Sequence, residues 1–206
     1  MTIEAATAAA LESLTGTRHV YDAAAELVPD EPGLYAFYGD GAAWSSLDLR
    51  PNFPDQPLYV GKAERSLNGR DVRTHFAAGK TGSSTVRRSL AALLDRGLGL
   101  VPVPRNTAKP DGSANFALDP ASEAKLSEWM RHRLALATWS RIGEESLGVI
   151  ETEVIRQLRP PLNLNKVGEP RAQLRAARRR MADIARAWQP TPAQDAKASR
   201  TSPPTA

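Results

Sequence analysis

The segment SLGVIETEVIRQLRPP reads as a helix closed by two prolines, and one of its glutamates falls on the apolar face. Taking 100° per residue from Leu147, Glu151 lies at about 40°, Val154 at about 340° and Leu158 at about 20°, whereas Glu153 and Arg156 fall at about 240° and about 180°. A carboxylate aimed into a core is costly unless something binds it, so the chemistry of this chain is to be sought at Glu151. A structural salt bridge to a buried arginine is the competing reading. Ahead of that helix stand two short strand-like runs, Gly33-Leu34-Tyr35 in EPGLYAFYGD and Tyr59-Val60-Gly61 in QPLYVGKA. After the second run, the stretch from Lys62 to Arg88 carries seven basic residues against Glu64 and Asp71. Such a local excess suits a polyanion.

The elements that must position these residues follow from periodicity and punctuation. Residues 3–28 read as one or two alanine-rich helices broken near Thr15-Gly16 and stopped at Pro29, a packing appendage occupying 1–30. Gly33 to Tyr38 and Leu58 to Val60 are strand candidates, joined by a long connection holding Trp44, Phe53 and three prolines. Arg65 to Ala78 is expected to be helical. Ser83 opens another helix, with Val86, Leu90, Leu93 and Leu94 inward and Arg87 and Arg88 outward, as a solvated face or as a contact for nucleic acid. Residues 97–120, rich in Gly, Pro, Asn and Asp, read as an insertion or flexible loop. Leu126 to Arg133 looks helical, and Leu134 to Ile142 has strand character.

The 206 residues, 41% of them hydrophobic, suffice for one ordinary domain with some extension. With no cysteine, disulfides and thiolate metal sites are excluded. The N-terminus has an acidic residue where a signal peptide is basic, and no apolar run approaches the roughly 20 residues that span a bilayer. A cytoplasmic protein without membrane contact is expected. The net charge of +4 is unevenly placed: from Glu169 onward there are eight Lys/Arg against three acids, so residues 1–168 carry about one net negative charge. Within that basic extension, 169–206, the stretch Arg171 to Trp188 has helix-forming composition with six arginines, and the residues beyond Gln189 lack the apolar content to order themselves.

The order Gly-Leu-Tyr, then Leu-Tyr-Val-Gly-Lys-Ala, then an arginine and a histidine on the next helix, then Val-Ile-Glu and a Pro-Pro-Leu-Asn ending at Asn163, resembles the GIY-YIG nuclease family. The resemblance spans about Gly33 to Lys166. It implies an α+β domain at 31–168 with a small three-stranded antiparallel sheet flanked by helices, cutting nucleic-acid phosphodiesters, DNA first, with one divalent metal, magnesium or manganese. By the same resemblance Tyr35 and Tyr59 are paired active-site tyrosines, Lys62 is the polar residue after the second motif, Glu151 is the metal ligand and Asn163 closes the site. One carboxylate is a sufficient protein anchor for magnesium, which keeps waters and takes phosphate oxygens. The family places its helix arginine four residues before a His or Tyr, but Arg70 stands five before His75 and Arg73 two before it. Arg70 is favoured because Leu67 precedes it at the family's spacing; Arg73 then becomes a nucleic-acid contact.

Simpler roles stand beside these. Tyr35 and Tyr59 serve equally as sheet aromatics, His75 as a phosphate contact or a helix end, and Asn163 as a turn residue. Arg175, Arg178, Arg179 and Arg180 suit either polyanion contact or a solubilising helix face. The residues together point to a metal-dependent endonuclease. Its rival is a nucleic-acid-binding module of the same fold that does not cut.

Overall fold

Alternation along Gly33–Gly39 decides the architecture, because both faces of that strand are apolar and each must be covered. The computed structural model describes residues 2–69, 75, 77–106, 115–168 and 171–189. Its elements run α1 (Ile3–Thr15), β1 (His19–Val20), α2 (Tyr21–Leu27), β2 (Gly33–Gly39), α3 (Gly41–Ser46), β3 (Tyr59–Ala63), α4 (Thr85–Leu98), β4 (Pro102–Pro104), β5 (Phe116–Leu118), α5 (Pro120–Arg133), β6 (Leu134–Ser140), α6 (Leu147–Leu158) and α7 (Ala172–Arg186). The main sheet is antiparallel with order β1-β6-β2-β3. The α+β class is as expected, but the sheet has four strands rather than three. The extra strand is His19–Val20, which is too short to show a period-two pattern in the sequence and forms only by pairing with Ala135 and Leu136.

The two faces of β2 define two apolar layers. Leu34, Ala36 and Tyr38 pack with Val60, Ala137 and Trp139 beneath Ala6, Ala10 and Leu14 of α1 and Ile150 and Val154 of α6. Tyr35 and Phe37 face the other way, among Val86 and Leu90 of α4, Met130 of α5 and Met181 of α7. The N-terminal segment is therefore folded onto the sheet. Tyr38 pins it there: its hydroxyl donates to Leu14 O at 2.7 Å, and the Arg18 guanidinium lies 3.9 Å over its ring. Burial pushes the Tyr38 pKa up to about 12, against the smaller opposing effect of Arg18, so this phenol remains a donor.

Three other stretches differ from expectation. Residues 97–120 contain β4 and β5, paired antiparallel, with Phe116 and Leu118 buried; 107–114 lie outside the described residues. The long connection after β2 holds α3, capped by Asp40 Oδ1 accepting from Ala43 N, and it buries Trp44. Arg171 to Trp188, expected as a basic helical extension, is helical as α7, but its Leu174, Ala177, Met181, Ala182 and Ala185 are buried against the domain. The first two are cases of tertiary contact ordering a segment whose local signal is weak, and in the third tertiary packing buries one face of a helix that composition already favours.

Candidate active site

Tyr35 and Tyr59 meet because their strands pair with an offset. In the register of β2 and β3, Tyr35 stands opposite Gly61 and Phe37 opposite Tyr59, so the two tyrosines are diagonal neighbours on one face, with ring centroids 6.2 Å apart. Gly61 is there for space: a Cβ at that position would lie 2.4 Å from the Tyr35 hydroxyl oxygen. Gly33 has the same role at the other border, where a Cβ would fall 2.0 Å from Trp139 O. Both motif glycines thus allow close approach rather than turns.

The Tyr35 hydroxyl lies 2.7 Å from His75 Nε2, and His75 Nδ1 lies 2.7 Å from Ser84 Oγ. His75 is fully buried, so it supports Tyr35 from behind. Ser84 is also the N-cap of α4, accepting from Arg87 N at 3.2 Å. Arg87 is wholly buried, which corrects its expected outward position. Its Nη2 pairs with Glu123 Oε2 at 2.7 Å and with Ser127 Oγ at 2.9 Å, and its Nη1 donates to His75 O at 3.0 Å. A charge wholly removed from water persists only when so satisfied, and here it brackets the histidine backbone. Arg88 is also inside, donating to Gly82 O at 2.7 Å and Thr81 O at 3.3 Å, and is not a surface contact. Counting from Arg87 rather than Val86 puts Leu90 and Leu94 at i+3 and i+7, the signal in the sequence that gives its inward direction.

Glu151 points inward as its helical phase requires, and 9% of it is exposed. Its partner is Lys166, not an arginine: Lys166 Nζ lies 2.5 Å from Oε2 and also donates to Gly148 O at 3.4 Å. The carboxylate lines a cleft of about 610 Å³ together with Tyr35, Tyr59, Lys62, Glu64 and Ser66. Lys62 forms an ion pair with Glu64 at the mouth. Asn163 does not line this cleft. Its Oδ1 accepts from Val60 N at 2.9 Å and its Nδ2 donates to Val60 O at 2.8 Å, so one side-chain amide satisfies the outer edge of β3 beside Tyr59. Arg70 and Arg73 lie outside the described residues.

On α7, Arg175 donates to Leu164 O at 2.5 Å, Arg178 to Ser89 Oγ at 3.4 Å, and Arg180 pairs with Asp95 at 3.2 Å, while Arg179 is exposed. The structure therefore brings together Tyr35, Tyr59, Lys62 and Glu151, places His75 and Asn163 behind them, and leaves the α7 arginines outside this cleft. Ser84, Glu123 and Lys166 belong to this arrangement and were not singled out from the sequence. Lys166 sits in a left-handed turn, φ 68°, fifteen residues from Glu151, a separation no helical pattern links.

No group of three or more His, Cys, Asp or Glu able to hold an ion occurs among the described residues. A structural zinc cage is therefore not what these side chains provide. A hard divalent cation fits: Glu151 Oε1 makes no hydrogen bond within the described residues, and such an ion takes its remaining ligands from water and phosphate.

No curated protein and no solved structure matches the chain. The family model described as the GIY-YIG catalytic domain matches residues 53–180, more than half of the chain, from the approach to β3 through most of α7. The match begins after Tyr35, yet β2 carries its tyrosine into the same cleft by pairing with β3, inside the matched span. With the sheet, the paired tyrosines and the inward Glu151 accounted for, the chain belongs to the GIY-YIG family, whose members are nucleases acting on nucleic acids and generally dependent on a divalent metal.

Proposed function

We propose that the protein is an endonuclease that hydrolyses phosphodiester bonds of DNA in the cleft between Tyr35, Tyr59 and Glu151. The observation that carries this reading is the convergence of those three side chains on one opening from three separate elements. Tyr35 is favoured over Tyr59 as the activating group because it has a proton acceptor in place, His75 Nε2 at 2.7 Å. A free phenol with a pKa of ~10 is handicapped by about 4 kcal/mol as a base at pH 7. Passing its own proton to Nε2 as it takes one from water lowers that cost, and the imidazolium then formed keeps its Nδ1–H directed at Ser84 Oγ. Lys62 places a positive charge where phosphate enters, and Asn163 fixes β3 so that Tyr59 keeps its position. Arg70 remains the arginine proposed to meet the phosphate. Glu151 would hold magnesium or manganese, which when bound supplies positive charge against that building on the phosphate and the leaving oxygen.

The second reading is a non-cutting module of the same fold, and one observation favours it: Lys166 already occupies Glu151 Oε2. Incubation with supercoiled plasmid, with and without magnesium, separates the two. Magnesium-dependent relaxation or linearisation that is lost in Glu151→Ala supports the nuclease, and binding without any cleavage by the wild-type protein supports the module. No helix among the described residues is long and apolar enough to cross a membrane. A cytoplasmic setting is proposed on the basis of a chain that has no cysteine to oxidise.

A further inference from the structure

Four arginines of this chain are gathered where neither the catalytic cleft nor the buried ion pair uses them. At 100° per residue Arg178, Arg179 and Arg186 each fall within about 60° of Arg175 around the helix, an arc of about 100° in all, whereas Arg180 is turned away from Arg175 by about 140°. The structure follows that phase. Arg175, Arg178, Arg179 and Arg186 line one groove of about 420 Å³ over Phe116 and Leu164, while Arg180 pairs with Asp95 of α4. No carboxylate lines the groove among the described residues. Asp183, which pairs with Arg186, stands outside it. Arg179 makes no hydrogen bond or ion pair with the described residues.

The groove shares no lining residue with the catalytic cleft, but the chain links the two. Leu164, in its wall, follows Asn163, whose amide clamps Val60 next to Tyr59. Ala177 and Met181, on the buried side of the same helix, belong to the apolar cluster that contains Tyr59. An arginine-lined groove without acids among its described lining, on the helix that packs behind Tyr59, concentrates positive potential where a polymeric anion extending beyond the cleft could be held. From Arg175 to Arg186 the helix rises about 16 Å, which at about 3.4 Å per nucleotide along a strand corresponds to about five nucleotides.

We propose that this face of α7 is a backbone-binding subsite that holds the nucleic-acid strand on one side of the cut, gripping phosphates through Arg179 and Arg186 at its open end while Arg175 and Arg178 anchor the helix and shape the groove. The inference rests on the nuclease reading for the position of the cut, but its own evidence is binding. Phosphate contacts of this kind fix position without reading sequence, so the subsite adds affinity and footprint and leaves base preference to other parts of the protein.

Binding and cutting are to be measured separately on the full chain. Binding to duplex DNA, single-stranded DNA and RNA of one sequence is titrated at several salt concentrations without divalent metal. The variant combines Arg179→Ala with Arg186→Ala, since neither side chain makes a hydrogen bond or ion pair to another element among the described residues, and Arg179→Ala alone serves as the milder version. Each engaged arginine contributes roughly 0.9 to the slope of log affinity against log salt on a duplex and roughly 0.7 on a single strand. The double variant should lower that slope by roughly 1.8 or roughly 1.4 on whichever nucleic acid occupies the groove, and in cleavage the loss should appear in KM. Arg156→Ala, on α6 across the sheet, removes one exposed charge and should leave the slope unchanged. A reduced slope confined to the α7 variants supports the subsite, and the nucleic acid showing it identifies the strand. Unchanged slopes on all three, or an equal reduction in Arg156→Ala, overturn it. A wild-type protein that binds with an α7-dependent slope but cuts nothing refutes the nuclease and leaves the subsite standing.

Discussion

The Tyr35 hydroxyl and His75 Nε2 stand 2.7 Å apart inside the protein, and His75 is held in turn by Ser84 Oγ at 2.7 Å. The phenol that faces the cleft is therefore connected to the N-terminus of α4 through a buried ring. This connection makes the two tyrosines unequal.

Tyr35→Phe removes one of the buried histidine's hydrogen bonds together with the activating hydroxyl. It should cost about 1–3 kcal/mol of stability and reduce turnover by about 10²-fold or more. Tyr59→Phe should cost less in both measurements. Denaturant titration beside plasmid cleavage decides; equal, small effects at both positions would return the pair to sheet packing.

Glu151→Gln retains the shape of the side chain and removes its charge, so cleavage should disappear while the fold persists. Lys166→Ala has the opposite sign for metal. The ammonium that competes for Oε2 is removed, and the magnesium concentration giving half-maximal activity should fall severalfold, a modest effect because Lys166 is about a third exposed. A requirement for more magnesium would show that Lys166 assists the site instead.

The Arg87–Glu123 pair offers a stability test that needs no substrate. Arg87→Met alone leaves Glu123 buried without its cation and should destabilise by about 3–5 kcal/mol. Combining it with Glu123→Leu should restore part of that loss, as measured by urea midpoints in a double-mutant cycle. Strict additivity of the two changes would argue that the pair is not the unit bracketing His75.

Gly61→Ala puts a methyl group where the Tyr35 hydroxyl sits and should lower both melting temperature and cleavage. Gly41→Ala meets nothing within 4 Å and is the matched control, expected to be neutral or to gain up to about 1 kcal/mol through a less flexible unfolded chain. Activity retained by Gly61→Ala would mean that Tyr35 can leave its place without consequence.

Local pattern was sufficient for several parts of this protein. The phase of Glu151 among Leu147, Val154 and Leu158 gave its inward direction, and the two proline-bounded, aromatic runs gave β2 and β3, because period and punctuation are properties of neighbouring residues. Arg87 was legible in principle, through Leu90 and Leu94, but its charge suggested the surface. Only the folded chain, by bringing Glu123 and Ser127 from α5 to meet it, makes burial affordable for a guanidinium. The same holds for Lys166 on Glu151, for Ser84 behind His75, and for the alignment of α7 arginines beside Leu164. These are relations between residues distant in sequence, set by strand register and helix packing, and a linear pattern contains neither.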